Sequence, residues 1–291
     1  MDLAKTLKEC RPNITDSSIK TYKSVLTNLF KKCYPDEKEM NLDLFNKHGH
    51  VLKHLMEEPY NKRKSKLSAL VVLTGNTHYQ KQMMEDKEEL NKDNMNQTKN
   101  EKQEEAMIPM SEVDDIYKQY EMNAKAHLSK KQLNANDLNE IQKWILLSLT
   151  SGLFIAPRRS ADWNMKWRNY DEEKENYVDI KNKQFVFNAY KTAKIYGQTK
   201  IEIPKTLQVI LNKWFKINPT DYVLFDAKEK PLTSPQITHR LNSIFNKNIS
   251  TSMLRHIYLT HKFGNVNLKD LNDTASAMGT SKIEALQYVK N

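Results

Sequence analysis

The stretch Ser252-Met253-Leu254-Arg255-His256-Ile257-Tyr258-Leu259-Thr260-His261 decides how this chain is read. Leu254, Ile257, Tyr258 and His261 recur at helical spacing, so the segment predicts a helix over 252–263 with one buried side. Arg255 stands at the start of that helix among apolar positions. A guanidinium taken out of water needs an anionic partner, which makes Arg255 a candidate anion ligand rather than a solubilising charge.

Downstream, a helix is expected over 268–278, followed by the turn Met278-Gly279-Thr280-Ser281 and then Tyr288. Upstream, helices are predicted over 207–215 and 235–245. Before them come three short β-branched and aromatic runs, Tyr177-Val178-Asp179-Ile180, Gln184-Phe185-Val186-Phe187 and Lys200-Ile201-Glu202-Ile203-Pro204. They read as a three-stranded antiparallel sheet, with Tyr190-Lys191-Thr192-Ala193-Lys194 between its last two strands. A lysine on such a hairpin reaches a ligand with a flexible ammonium. Further upstream, an apolar helix over 138–151 leads to Pro157-Arg158-Arg159-Ser160-Ala161-Asp162-Trp163, paired arginines beside a carboxylate, which suits an anion-binding fork. Alone, an Arg-Arg pair is ordinarily a solvated surface feature.

The N-terminal part reads as helical throughout. Thr15-Asp16-Ser17-Ser18 supplies an N-cap for an amphipathic helix bearing Ile19, Tyr22, Leu26, Leu29 and Phe30. Further helices are expected over 42–57 and 63–73, the latter closed by Gly75. From Met84 to Ala106 almost every residue is Glu, Lys, Asn, Gln, Asp or Met, a stretch that builds no core. The expected organisation is therefore a helical domain over 1–83, a polar charged linker over 84–107, and a second domain over 108–291. A helix over 111–126 opens that second domain.

The 291 residues carry a net charge of +10. Such a surplus favours a polyanionic partner, since each neutralised phosphate releases counterions. Base composition of the gene explains a Lys-rich chain equally well, so charge narrows the field without deciding it. The longest apolar run, Trp144 to Leu149, is far below the roughly 18 residues of a membrane span. Without a secretory layout at the N-terminus, an intracellular protein is expected. Cys10 and Cys33 form no metal-ligand spacing, and the Gly-rich phosphate loops of nucleotide enzymes are absent.

Taken in order, the Arg158/Arg159 box, Lys191, the Leu254-Arg255-His256 box with His261, the Gly279 turn and Tyr288 resemble the catalytic domain of the tyrosine recombinase (integrase) family. The resemblance spans about 108–291, and Ser18, Thr21 and Tyr22 are similar to that family's core-binding domain. Pro-Arg-Arg and Asp-Trp in a Lys/Asn-rich, glycine-poor chain are similar to members from large DNA viruses of eukaryotes and their satellite mobile elements. The implied fold is mostly α with a small antiparallel β-sheet (α+β), a helical DNA-clamp domain preceding the catalytic one.

The resemblance implies that Tyr288 attacks a DNA phosphodiester to give a 3′-phosphotyrosine and a free 5′-hydroxyl, conserving bond energy without a nucleotide, metal or other cofactor. Arg255 and one of Arg158 or Arg159 would clamp the non-bridging oxygens, and Lys191 would protonate the leaving oxygen. Spacing to Asp162 favours Arg159; ungapped reading through Trp167 favours Arg158; Arg159 is preferred. Two positions depart from the family. Ser252 stands where a histidine precedes the second arginine, and Thr280 replaces the histidine of a Gly-His turn. Neither titrates near neutrality, though both can hydrogen-bond a phosphate oxygen. His256 and His261 are read as structural, the alternative being that one of them partly compensates for the missing histidines, and Tyr288 is expected on an element that orders on DNA.

The implied partner is double-stranded DNA, held by a homotetramer on two duplexes in a host nucleus or viral replication compartment. DNA contacts are expected from Lys20, Lys23, Lys62, Arg63 and Lys64, and from Arg240. Competing readings are type IB topoisomerase-like relaxation, a catalytically weakened DNA-binding relative, and a helical scaffold for acidic proteins.

Overall fold

The computed structural model describes residues 2–95, 99, 101–263 and 268–289. The chain divides into two compact units, Met1–Asn96 and Gln97–Asn291. Each has its own core.

The first unit is all helical: α1 (Leu3–Cys10), α2 (Asp16–Cys33), α3 (Leu42–Asn46), α4 (His48–Met56), α5 (Tyr60–Thr74) and α6 (Thr77–Met95). Thr15 caps α2 by accepting from the Ser18 amide, which satisfies one of the helix's orphan donors. α5 ends where Gly75 turns left-handed and donates to the Val71 carbonyl. Instead of one helix over 42–57 there are two, broken at Lys47, whose ψ of 62° lies outside the helical range. Leu26, Leu29, Phe30, Phe45, Val51, Leu67 and Leu70 fill the core.

The polar stretch expected as a linker is helical over much of its described length, since α6 runs to Met95 and α7 covers Glu101–Ala106. The reason is local: Met83 packs against the first core and Asp86 is buried against Arg63, while Ala106 is buried in the second unit. Residues 96–98 and 100 lie outside the described set.

The second unit continues with α8 (Met110–Leu128) and α9 (Ala135–Thr150). Asn134 and Asp137 form a reciprocal capping box at the start of α9. From Trp144 to Thr150 every residue of α9 is buried, so the helix is the axis of the unit's core.

The sheet is four-stranded and mixed rather than three-stranded and antiparallel. Its order is β1 (Met165–Lys166), β2 (Asn176–Asp179), β3 (Gln184–Phe187) and β4 (Thr199–Glu202), with β1 parallel to β2 and the other pairs antiparallel. A two-residue strand carries no periodicity, which is why β1 left no trace in the pattern. Between β3 and β4 lies a one-turn helix, α10 (Ala193–Tyr196). Then come α11 (Lys205–Phe215), α12 (Ser234–Phe245), α13 (Thr251–Phe263), α14 (Leu268–Ala277) and α15 (Lys282–Tyr288). A separate small cluster of Leu259, Phe263, Leu271, Ala275, Met278 and Ala285 binds α13, α14 and α15 together. Among the described residues, no helix is long and apolar enough to cross a membrane.

Candidate active site

After α9 the chain bends at Gly152, whose φ is +89° and whose hypothetical Cβ would lie 2.6 Å from the Tyr258 ring. Only glycine lets the backbone run this close to α13. The loop then delivers Pro157, Arg158 and Arg159 to the 3-10 turn Ser160–Trp163. Trp163 packs edge-on against Phe185 and Phe187 at centroid distances of 5.7 and 6.0 Å, fixing that turn on the sheet. Asn176 of β2 ties it further: its amide donates to the carbonyls of Asp162 and Ala189 at 3.0 and 2.9 Å.

Arg158 is fully buried. Its Nε donates to Asp162 Oδ2 at 2.9 Å, its Nη1 to the Ala277 carbonyl at 2.8 Å, and its plane lies 3.9 Å from the Phe187 ring centroid. Arg159 is half-buried, and its Nη1 donates to the Gly279 carbonyl at 3.0 Å. Arg255, 1% exposed, donates from Nη1 to the Tyr288 hydroxyl at 2.6 Å and lies 4.3 Å from that ring's centroid. Burial pulls Arg158 and Arg255 below the ordinary arginine value and pushes the Asp162 carboxyl up, the latter against the pull of Arg158, Arg159 and Arg255. A guanidinium stays protonated through such a shift.

Several buried polar atoms here have no hydrogen-bond partner among the described residues: Arg158 Nη2, Arg255 Nε, Arg255 Nη2 and Asp162 Oδ1. An unmade buried hydrogen bond costs about 1–3 kcal/mol, so these three guanidinium donors are suited to an anionic ligand. Three arginines against one buried carboxylate leave the net charge positive.

The structure brings Arg158, Arg255, Thr280 and Tyr288 into one neighbourhood. Thr280 is buried, and its hydroxyl donates to Glu284 Oε2 at 2.9 Å. Tyr288 is docked at the end of α15, its ring 4.6 Å from that of His256. His256 Nδ1 donates to the Tyr288 main-chain carbonyl at 2.8 Å, which places the proton on that nitrogen. The contact aims at the backbone, so His256 holds Tyr288 in place rather than touching its hydroxyl.

Other expected residues lie farther out. Lys191 is exposed on the β3–β4 connection, while its neighbour Thr192 anchors that connection by donating to the Gly279 carbonyl at 3.2 Å. Ser252 is exposed on the first turn of α13, and buried Thr251 beside it hydrogen-bonds Ser160 at 2.8 Å. His261, placed on the inner face by its spacing, is exposed, and at that level of α13 the buried side is formed by Leu259 and Phe263.

In the first unit, Lys20, Lys23, Lys62 and Lys64 are exposed. Arg63 is not free for DNA: it closes on Asp86 through two contacts of 3.0 and 2.7 Å. Arg240 also turns inward, its Nη2 donating to the Phe225 carbonyl at 3.2 Å. Both corrections have one cause, a nearby acceptor that competes with solvent.

Glu284 was missed from the sequence, although positions 280, 284 and 288 recur at the spacing of four that lines up one helical face. Gly279, whose carbonyl receives both Arg159 and Thr192, was seen only as a turn. Among the described residues, no group of three or more His, Cys, Asp or Glu side chains is placed to hold a metal ion.

No protein-family model and no curated protein sequence matches the chain. Solved structures do. A lambda integrase dimer bound to a COC′ core site superposes with a TM-score of 0.55 at 13% identity, covering 98% of this chain and 76% of the other. A lambda integrase tetramer bound to a Holliday junction gives 0.53 at 12% identity, covering 99% and 76%. The chain has a tyrosine-recombinase fold. At this identity the likeness speaks for the arrangement of the elements, and the chemistry rests on the residues described above.

Proposed function

We propose that the protein is a site-specific DNA recombinase of the integrase kind, cleaving and rejoining DNA through a 3′-phosphotyrosine on Tyr288. The observation that carries this reading is the set of buried, idle guanidinium N–H groups of Arg158 and Arg255 beside the Tyr288 hydroxyl. A phosphodiester supplies the missing acceptors, and the same donors stabilise the charge that develops when the tyrosine oxygen adds to phosphorus.

In this reading Arg158 takes the role for which the sequence preferred Arg159. It is the buried member, braced by Asp162 and Phe187, and it keeps one donor idle. Arg159 adds to the field and holds the Gly279 turn. Lys191, on its exposed connection, is in this reading the proton donor to the leaving 5′-oxygen. Double-stranded DNA is the substrate, with Lys20, Lys23, Lys62 and Lys64 as backbone contacts. On the same reading the assembly is a tetramer on two duplexes, and the recombinase is of the kind carried by large DNA viruses and their mobile elements.

The test is covalent capture. Wild-type protein incubated with nicked duplexes of randomised sequence should give a protein–DNA adduct that survives detergent, and the Tyr288→Phe variant should give none. Adduct at wild-type level from the variant would overturn the nucleophile. One observation favours a second reading, type IB topoisomerase-like relaxation: Tyr288 and Arg255 are already joined within a single chain. Efficient relaxation of a supercoiled plasmid by the protein at high dilution would favour it over recombination.

A further inference from the structure

The Thr280 hydroxyl has one proton, and that proton is donated to Glu284. A hydroxyl engaged in this way has no donor left for a phosphate oxygen. Glu284 itself is exposed, with water available to its carboxylate, so it does not need Thr280 to be solvated. It also acts on Arg255 in the same sense as the buried Asp162, as an attracting negative charge. On α15 it stands one turn before Tyr288, on the same side of the helix. The arrangement puts a carboxylate on the donor that the phosphate needs and within the field of the arginine that would bind it.

We propose that Glu284 is a resident competitor of the scissile phosphate, and that binding of a phosphodiester requires it to release Thr280 and withdraw from Arg255. The proposal rests on the reading that Arg158, Arg255 and Thr280 form the phosphate site. It explains what a carboxylate is doing beside a cationic anion site, and why Thr280 is directed away from the idle guanidinium donors. A weak phosphate ligand is disfavoured by this competition. A phosphodiester held in register by a whole duplex displaces the carboxylate, because its other contacts supply the binding energy.

The experiment uses the full chain, with inorganic phosphate as the probe and the Arg255 Nε–H signal in a nitrogen-15 NMR spectrum as the readout, assigned by its loss in Arg255→Lys. Glu284→Gln removes the charge and keeps an acceptor for Thr280, and should tighten phosphate binding about threefold. Glu284→Ala also releases the Thr280 proton and should tighten it about tenfold. Adding Thr280→Val to Glu284→Ala should return the affinity to about that of Glu284→Gln. Thermal unfolding midpoints check folding, and if the alanine variant fails to fold the isosteric Gln variant decides. Phosphate affinity that is unchanged or weaker in the folded variants overturns the competition alone. A signal unmoved by phosphate in wild type and variants alike overturns both this proposal and the phosphate site beneath it.

Discussion

In the first unit Arg63 meets Asp86 through two parallel contacts, Nε to Oδ2 at 3.0 Å and Nη2 to Oδ1 at 2.7 Å. Its remaining Nη1 rests on Met56 Sδ, and Gln82 donates to Asp86 at 2.9 Å. In the second unit Arg158 meets Asp162 through a single contact, leaving Arg158 Nη2 and Asp162 Oδ1 without partners among the described residues. Both are arginine–aspartate pairs on a buried carboxylate, and they differ in completeness. The closed fork engages all three of its nitrogens and fixes α5 against α6. The open one is held rigid by Phe187 and Ala277 while keeping a donor in reserve. An ion pair thus marks structure or function by what it leaves unsatisfied, more than by its burial.

The sharpest way to break that comparison is to replace each arginine by lysine, which keeps the charge and loses the planar fork. Arg158→Lys should slow adduct formation about 100-fold or more, the usual cost of one oxyanion donor. Arg63→Lys should leave adduct formation unchanged. Equal losses from the two would mean that completeness does not discriminate. Next in size is Arg63→Ala, which strands Asp86 in a buried site at 4% side-chain exposure. Amide hydrogens of α5 and α6 should then exchange as if the local opening energy had fallen by about 3 kcal/mol. Exchange at wild-type rates would show that the closed fork does little for the first unit.

How much of this was readable beforehand follows from the range of each interaction. The helices over 111–126, 207–215 and 235–245 were legible because their periodicity is local, and so were the Thr15 cap and the Gly75 stop. Lys191 was readable as lying between two strands for the same reason. Arg255 announced itself as an arginine among apolar positions. The inward turns of Arg63 and Arg240 were not legible, because their acceptors, Asp86 and the Phe225 carbonyl, lie 23 and 15 residues away in sequence. Which of Arg158 and Arg159 pairs with Asp162 was not legible either. It depends on Ala277 and Gly279, about 120 residues on, and the spacing to Asp162 pointed to the wrong partner for the ion pair. β1 is too short for a pattern, and α15 too short and polar.

A smaller effect separates two glycines that share a φ of +65°. At Gly279 an added Cβ would lie 3.1 Å from Arg158 Nη2, the idle donor, whereas at Gly75 it would meet nothing within 4 Å. Alanine at either position costs about 1 kcal/mol for the left-handed backbone. Gly279→Ala should in addition weaken phosphate binding several-fold by pushing the guanidinium aside, and Gly75→Ala should not touch it. Identical phosphate affinities for the two variants would mean that Arg158 Nη2 is not a ligand.

The smallest effect concerns a third buried carboxylate, Asp137, which is satisfied on every side. It accepts from the Asn134 amide at 3.0 Å and is paired with His127 at 2.7 Å and Lys130 at 2.5 Å. The Asn134 amide, then Lys130 and His127, hold its carboxyl well below the usual range. A carboxyl whose value is lower in the folded state stabilises the fold above its unfolded value, near 3.9, and loses that contribution as pH falls through the folded value. Unfolding free energy measured from pH 7 down to pH 3 should therefore decline for the wild type toward the acid end. In Asp137→Asn, which keeps an acceptor for the Asn134 amide and cannot titrate, the decline should be shallower. Asp162 should contribute with the opposite tendency, since burial pushes its carboxyl up. Asp162→Asn should accordingly not flatten the acid limb. If it flattens that limb as much as Asp137→Asn does, the open pair is as complete as the closed ones, and the contrast drawn from its idle atoms is lost.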